Sequence, residues 1–528
     1  MSGKKVSIRV GAGAGVGEGV YNKFAEIDGQ LAANASSLAE NTQHSINGKK
    51  VLSISAYQRQ TPENNDLGRF TRAIADAEAG MVLSLKDESV FQIPSTITIS
   101  KKVHLIGNDV ELQTVTQGMD NVFDILNVDG IIISGIKFNQ NLMGRTSIHL
   151  VNCTNFLIQN CSFTGYSKQY GYYQTDGGIK LDDCKNGKIL FNKWENHGDQ
   201  YTAATADLNR CITIQGTTSD NVVIMGNTFN KVNQAIVIAT GNHIVQGNTF
   251  NEVHDNVLYM VGNVASVIFN GNYVDHRFDE ALVVDSGKLI ATSNHFKNIP
   301  NKAISIGTSG TALPIRVIVI GNTFDNSDIT EGQFIVWRDP SYVADVVICK
   351  NNTFKGSSTY EYFNIGNVNK FIFKDNYINV ATVANQRMLY FTGTTLSGVV
   401  QGNTFIGTDG TSKTVEINTV NTSPSLLYKD NDVTSCRAVW YGLTVEGHNI
   451  QVNVGPYVNQ KKKFNQVTCT VMPTLGQFQQ GDYVKNETPT IQGTAGSKYV
   501  VKGWIRITTG TAHVLNTDWV EDKVLTGT

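Results

Sequence analysis

The sequence predicts an all-β protein: a right-handed, single-stranded parallel β-helix with a short N-terminal helical segment and a small C-terminal β-module. Three observations lead there. Gly-Asn-Thr-Phe recurs verbatim at 226–229, 247–250, 321–324 and 402–405, with near copies at Asn351-Asn352-Thr353-Phe354, Ser293-Asn294-His295-Phe296 and Gly271-Asn272-Tyr273-Val274. The end of the motif marks a column: Phe138, Phe163, Trp194, Phe229, Phe250, Val274, Phe296, Phe324, Phe354, Ile378, Phe405 and Val433. Its steps run from 21 residues (Phe229 to Phe250) to 35 (Trp194 to Phe229). Only 17% of the 528 residues are charged, against about 25% in an ordinary globular chain. Asn, Thr, Ser, Gln and Gly carry the polarity instead, and these residues favour turns over helices.

Each repeat reads the same way. A short apolar run, Val222-Val223-Ile224-Met225, precedes the motif, and a second, Ala235-Ile236-Val237-Ile238, follows it. Apolar runs of four or five bounded by Gly-Asn read as short strands. Three short strands in a period that falls to the low twenties are too few residues for a propeller blade, and the Leu-x-x-Leu-x-Leu register of a leucine-rich repeat is missing. One turn of a parallel β-helix remains. Asn at 227, 248, 272, 294, 322, 352, 376 and 403 is expected to stack as a ladder, with the aromatic column inside.

The flanks differ in character. Residues 1–50 read as a separate N-terminal segment: Gly, Ala and Val dominate 11–19, and Val20, Phe24, Ile27, Leu31 and Leu38 follow at heptad-like spacing over less than three heptads, short for a coiled coil. Residues 51–120 hold a capping helix and the first strands. The helix is expected over 66–80, with Asp66 as N-cap, Leu67, Phe70, Ile74 and Ala77 on one face and Gly80 as the stop. It should plug the open first rung, since a solenoid needs a covered end. The β-helix itself spans 121–455. Residues 456–528, with strands expected at 499–501 and 504–508, form the terminal module.

A formal charge of −2 argues against broad electrostatic binding to nucleic acid. Seven cysteines without a CxxC pair predict buried thiols in a chain that folds in a reducing compartment. Gly-rich sequence after Met1 to Val10 predicts no secretory signal, and no run approaches the length of a membrane helix.

Three segments resemble a known family. The lead-in Asn64-Asn65-Asp66-Leu67-Gly68-Arg69-Phe70-Thr71-Arg72-Ala73-Ile74, the Gly-Asn-x-Phe array, and the tail from Gly503-Trp504-Ile505-Arg506 to Leu525 are together similar to bacteriophage tailspikes and tail fibres of the pectate-lyase-like superfamily. The lead-in departs from the family by carrying Asn64-Asn65 where acidic residues are usual. The resemblance implies a homotrimer, held to a phage tail or baseplate protein through its N-terminal segment. It further implies a virion protein, made in the host cytoplasm, that binds or cuts a host surface polysaccharide.

Loop lengths locate a candidate site. From the aromatic column to the next strand the chain takes 15 residues after Phe163 (to Gly178) and 17 after Trp194 (to Cys211), then only 6 after Phe229 (to Ala235) and 6 after Phe250 (to Asn256). Two long loops beside short ones predict a wall and a floor. The wall carries Tyr166, Tyr170, Tyr172, Tyr173 and Tyr201, which either stack on sugar rings or pin the loops. On the floor, the two residues before each strand read Asp176-Gly177, Asn209-Arg210, Asn233-Gln234, His254-Asp255, Asp279-Glu280 and Asn301-Lys302. Rungs lie about 4.8 Å apart, so carboxylates on neighbouring rungs approach the roughly 5 Å separation of a retaining glycosidase. Repulsion among Asp255, Asp279 and Glu280 is expected to raise one pKa and supply a general acid. The alternative is a set of solvated turn residues. Beside this floor, Val237, Leu258 and Val283 are expected to form an apolar stripe if they point outward.

The leading expectation is therefore glycoside hydrolysis, with Asp279 or Glu280 as acid and Asp255 as base or nucleophile. Tyr170, Tyr172, Tyr173, Asp176, Tyr201, Arg210, His254, Arg277 and Lys302 would hold the substrate, without metal or other cofactor. A lyase using Lys302, Arg277 or His254 near a uronate, and a receptor-binding adhesin without catalysis, are the alternatives. Asp176, Asp207 and Glu331 are the next carboxylates in line.

Overall fold

A computed structural model of the chain describes residues 48–527 apart from 61–62, 167–175, 196–208, 277, 308–313, 330–331, 338–342, 359–360, 383–386, 394–395, 408–412, 418–424, 435–436, 442–448, 454–466, 475–477 and 479. The heptad-like segment expected before residue 48 lies outside these. Among the described residues the architecture is an all-β parallel solenoid with one short α-helix near its start and a small, mostly antiparallel sheet at its end.

Every turn contributes a strand to each of three parallel sheets, and the pairing register repeats the sequence register. In the first sheet, Ile189, Ile224, Val245, Phe269, Ala291, Val319, Cys349, Phe373 and Val400 stand one above another and point inward. The second sheet holds the aromatic column, paired in order from Phe138 to Val433. Its rings stack nearly parallel: Phe163 on Trp194 at 4.7 Å, Phe229 on Phe250 at 4.8 Å, Phe296 on Phe324 at 4.7 Å. The third sheet fills the remaining side with Ile179, Ile212, Ile236, Leu258, Leu282, Ile304, Ile335, Phe363 and Leu389, all buried.

The asparagine ladder forms as expected and extends one rung further each way, to Asn192 and Asn431. The interior members work alike. Asn322 Nδ2 donates to the Ala291 carbonyl (2.9 Å) and to Asn352 Oδ1 (3.0 Å), while its own Oδ1 accepts from the backbone and side-chain nitrogens of Asn294. A buried amide thus satisfies its donors and acceptor without water, which is the condition for burying it at all. Turn lengths vary outside this ladder without disturbing it.

The helix, α1 (Leu67–Asp76), caps the first turn but is built differently from expectation. Asp66 takes the N-cap position, yet its fully buried carboxylate accepts no capping bond from a backbone N–H of the helix. It is held instead by Arg59, by Arg69 and by the backbone N–H of Gln92. Burial opposes its charge, and these bonds keep its pKa below the usual value. Asn65 Oδ1 accepts from the Leu67 N–H in its place. The helix ends at Asp76, before Gly80, with Ala77 already extended. Phe70 packs edge-on against Phe91 at 5.4 Å, joining the cap to the core.

The terminal sheet comprises Val467–Cys469, Tyr483–Asn486, Ile491–Gln492, Lys498–Arg506 and Trp519–Gly527 around Phe478, Val484, Val501, Trp504 and Trp519. The two strands expected at 499–501 and 504–508 are one strand, Lys498–Arg506. Gly503 reads as a break but is a close approach: a Cβ there would lie 2.3 Å from the Val484 carbonyl oxygen. Of the cysteines, Cys153, Cys161, Cys184, Cys211 and Cys349 are buried free thiols and Cys469 is half-buried. No helix among the described residues is long and apolar enough to cross a membrane.

Candidate functional site

The floor residues lie where the second sheet turns into the third, and the register sorts them into two rows. Arg210 pairs with Gln234, and carrying the pairing of Ile236, Leu258 and Leu282 back two residues continues that row through Asn256 and Glu280 to Lys302. The second row is Asn233, Asp255, Asp279 and Asn301. His254-Asp255 is therefore one residue out of step with the grouping read from sequence, because Asn256 takes the place expected of Asp255.

Side chains in these rows bond from rung to rung. Arg210 Nε donates to Gln234 Oε1 (3.2 Å), and Gln234 Nε2 donates to Asp255 Oδ2 (3.1 Å) and Asn256 Oδ1 (3.0 Å). Asn301 Nδ2 donates to Asp279 Oδ1 at 2.8 Å. Lys302 Nζ reaches Glu280 Oε1 at 2.7 Å, with the Glu280 side chain 4% exposed. The three carboxylates thus bond Gln234, Asn301 and Lys302 respectively. Glu280 is a buried ion-pair member, while Asp255 and Asp279 stay half-buried on adjacent rungs.

The row above them is aromatic. His254 stacks on Phe278 at 4.9 Å, and Phe278 remains 37% exposed. Behind it, fully buried His276 accepts the Asp279 backbone N–H at Nε2 (3.1 Å). Burial pushes its pKa down to about 4, so the ring is neutral at neutral pH and its lone pair fixes the turn that presents Asp279.

Other expected members fall differently. Asp176 begins the strand Asp176–Asp182 and pairs with Arg210. Tyr170, Tyr172, Tyr173, Tyr201, Arg277, Asp207 and Glu331 lie outside the described residues. Tyr166 is no wall residue: it is 2% exposed and bonds Ser147 through its hydroxyl at 2.5 Å. The expected apolar stripe is also corrected. Leu258 belongs to the inward row, and Val237 and Val283 are only 2% and 1% exposed.

A second cluster escaped the sequence reading. On the third sheet, His149 Nδ1 lies 2.9 Å from Asp124 Oδ1 and its Nε2 lies 2.8 Å from Asp182 Oδ2, with Lys180 Nζ 3.9 Å from Asp182. Burial works against the Asp182 charge, but bonds from His149 and Gln215 hold its pKa below the ordinary value. The only signal was alternation: Asp124, His149 and Lys180 share the outward position between inward rows. Among the described residues no group of three His, Cys, Asp or Glu side chains is arranged to hold a metal ion.

No family model and no curated protein matches the chain. Among solved structures, similar ones are ORF18 of Geobacillus virus E2 (12% identity, 67% of this chain, TM-score 0.42), the surface adhesin PfbA of Streptococcus pneumoniae (12%, 88% of this chain and all of that one, 0.46) and the Dettilon tailspike protein gp208 (11%, 88% and 80%, 0.41). The match spans 65% of the Geobacillus virus protein. An exopolygalacturonase of Thermotoga maritima and an alginate lyase of Paenibacillus match at similar grade. The fold rests on the register described above, and none of these likenesses assigns an activity.

Proposed function

We propose that this chain is a tailspike-like protein that binds an extended surface polysaccharide along the turn between the second and third sheets and hydrolyses it with Asp255 and Asp279. The observation that carries this reading is the placing of two half-buried carboxylates in register on adjacent rungs, beside the exposed Phe278 ring. Rungs repeat at about 4.8 Å, near the roughly 5 Å of a retaining pair, and an aromatic face offers a sugar ring a stacking surface. Attachment to a phage tail and action at a host surface belong to the same reading.

Purified full-length protein incubated with bacterial surface polysaccharides should release new reducing ends without ultraviolet-absorbing unsaturated products. Unsaturated ends would make it a lyase. Binding with no product would favour the second reading, a receptor-binding adhesin, which draws support from the bonds that already engage all three carboxylates.

A further inference from the structure

The corner between the first and second sheets needs a left-handed residue just before each ladder asparagine. From Asn160 to Asp430 that position takes Asn, Gly, Ser or Asp, with one exception: Phe191, whose φ is +55°. A bulky side chain there strains the backbone, and strain of this kind gathers at ligand clamps. The core does not ask for the ring. Phe191 is 50% exposed, whereas Leu190 and Asn192 on either side of it are buried. The ring lies over the next rung, where a Cβ on Gly226 would come within 2.6 Å of its Cδ1 and Cε1. Beyond it the corner is bare: a Cβ at Gly247 or Gly271 would meet nothing within 4 Å. A second open ring closes the bare stretch. Tyr273, two rungs on from Thr228, is 38% exposed and stacks on His295 at 5.5 Å with the planes 4° apart. His295 covers one face of that ring, and the other turns toward Thr249. Two rung steps separate the levels of the two rings by about 10 Å.

We propose that this corner is a second glycan-binding surface, which takes a neutral stretch of polysaccharide between Phe191 and Tyr273. Residues 225–230 and 246–251 floor it and carry no charge. They present the hydroxyls of Thr228 and Thr249 and the amides of Asn230 and Asn251, groups that both donate to and accept from sugar hydroxyls. The charges at its two ends are already engaged, Lys193 with Glu195 at 2.6 Å and Asp275 with Asn298 at 3.0 Å. A uronate or phosphate polymer would find no cation along this floor. Separate rings with polar groups between them suit a sugar chain, whose faces are apolar and whose rims are polar. A protein partner would want a contiguous apolar centre instead.

The surface shares its rungs with Asp255 and Asp279 but lies on the other side of the three-residue strands of the second sheet. It would hold the polymer near their turn without reacting with it. The inference rests on the glycan reading and adds to it a second place and a charge class.

Beads coated with neutral bacterial surface polysaccharides should retain the full-length protein, tested in an Asp255→Asn background that slows cleavage. Soluble polygalacturonate should not compete. Phe191→Leu together with Tyr273→Ala should weaken retention about tenfold, the loss of two ring contacts. Phe191→Trp keeps an aromatic face and should bind as the parent does. Should the double variant misfold, Phe191→Leu against Phe191→Trp decides, because Leu still covers Gly226 and lacks only the ring. Undiminished retention in Phe191→Leu, an equal loss in Phe191→Leu and Phe191→Trp, or competition by polygalacturonate overturns the proposal and leaves the glycan reading standing. A parent protein that none of the polysaccharides retains overturns both.

Discussion

Lys302 Nζ lies 2.7 Å from Glu280 Oε1, an ion pair between neighbouring rungs whose acid is almost wholly enclosed. Lys302→Met would leave that carboxylate buried without its ammonium. Breaking a fully buried pair costs about 3–5 kcal/mol; because Lys302 is one-fifth exposed, we expect less, about 1–3 kcal/mol. Glu280→Gln with Lys302→Met should recover part of the loss. Urea denaturation of the single and double variants checks this, and equal losses in both would show that the pair is not what matters.

Neutralising Asp255→Asn or Asp279→Asn should lower glycan cleavage by roughly 10²–10⁴-fold, the usual contribution of acid–base assistance, and by more if the removed group is the nucleophile. Binding and melting temperature should change little, since both groups sit at half-exposed turns. Wild-type rates in both variants would move attention to His149 and its two carboxylates.

Asn322→Ala removes both bonds that Asn322 donates and the acceptor that serves two nitrogens of Asn294. Leaving buried groups unpaired costs about 1–3 kcal/mol each, so the loss should exceed about 3 kcal/mol. Hydrogen exchange should show it first in the rungs of Asn294 and Asn352. A uniform loss of protection along the rod would contradict so local an effect.

Stability should fall on acidification between about pH 6.5 and pH 4. Burial pushes His104, His243 and His276 each down to about 4, with Lys49 and Lys102 adding to the effect at His104. An unfolded imidazole titrates near 6.5. Within this window the unfolded chain binds more protons, so stability is full above 6.5 and declines toward 4. For His276 the limit is about 3 kcal/mol. Protonation would also cost the bond that His276 accepts from Asp279. Melting temperatures at pH 7, 5 and 4 should decline less steeply in His276→Asn.

The repeating parts were legible in the sequence because each rung imposes the same demand. Asn must fill a buried slot that only a side-chain amide satisfies in both directions, and the Phe two residues after it must stack on the ring of the next rung. Asn192 and Asn431 were equally readable, two residues before Trp194 and Val433, had the same spacing been applied. What was not legible is local and one-off. Asp66 looks like a helix cap and is an ion-pair hub, because Arg59, seven residues back, and Gln92, twenty-six residues on, compete for it. Asp255 fell one place out of row because turn length has no period. The apolar stripe expected of Val237, Leu258 and Val283 fails on the third sheet, where all three prove buried, because which residues of an apolar run face inward is separated only by the register.

The Asn ladder makes rod length an adjustable quantity. Asn227, Asn248 and Asn272 present identical bonds to the rungs on either side, so a rung is interchangeable at its boundaries whatever its turns contain. Excising residues 249–272 would place Asn248 directly beneath Asn294, with every donor and acceptor matched, and shorten the rod by about 4.8 Å. Such a chain can gain or lose reach by whole rungs, and carry new turns outward, while the inner scaffold never has to be redesigned.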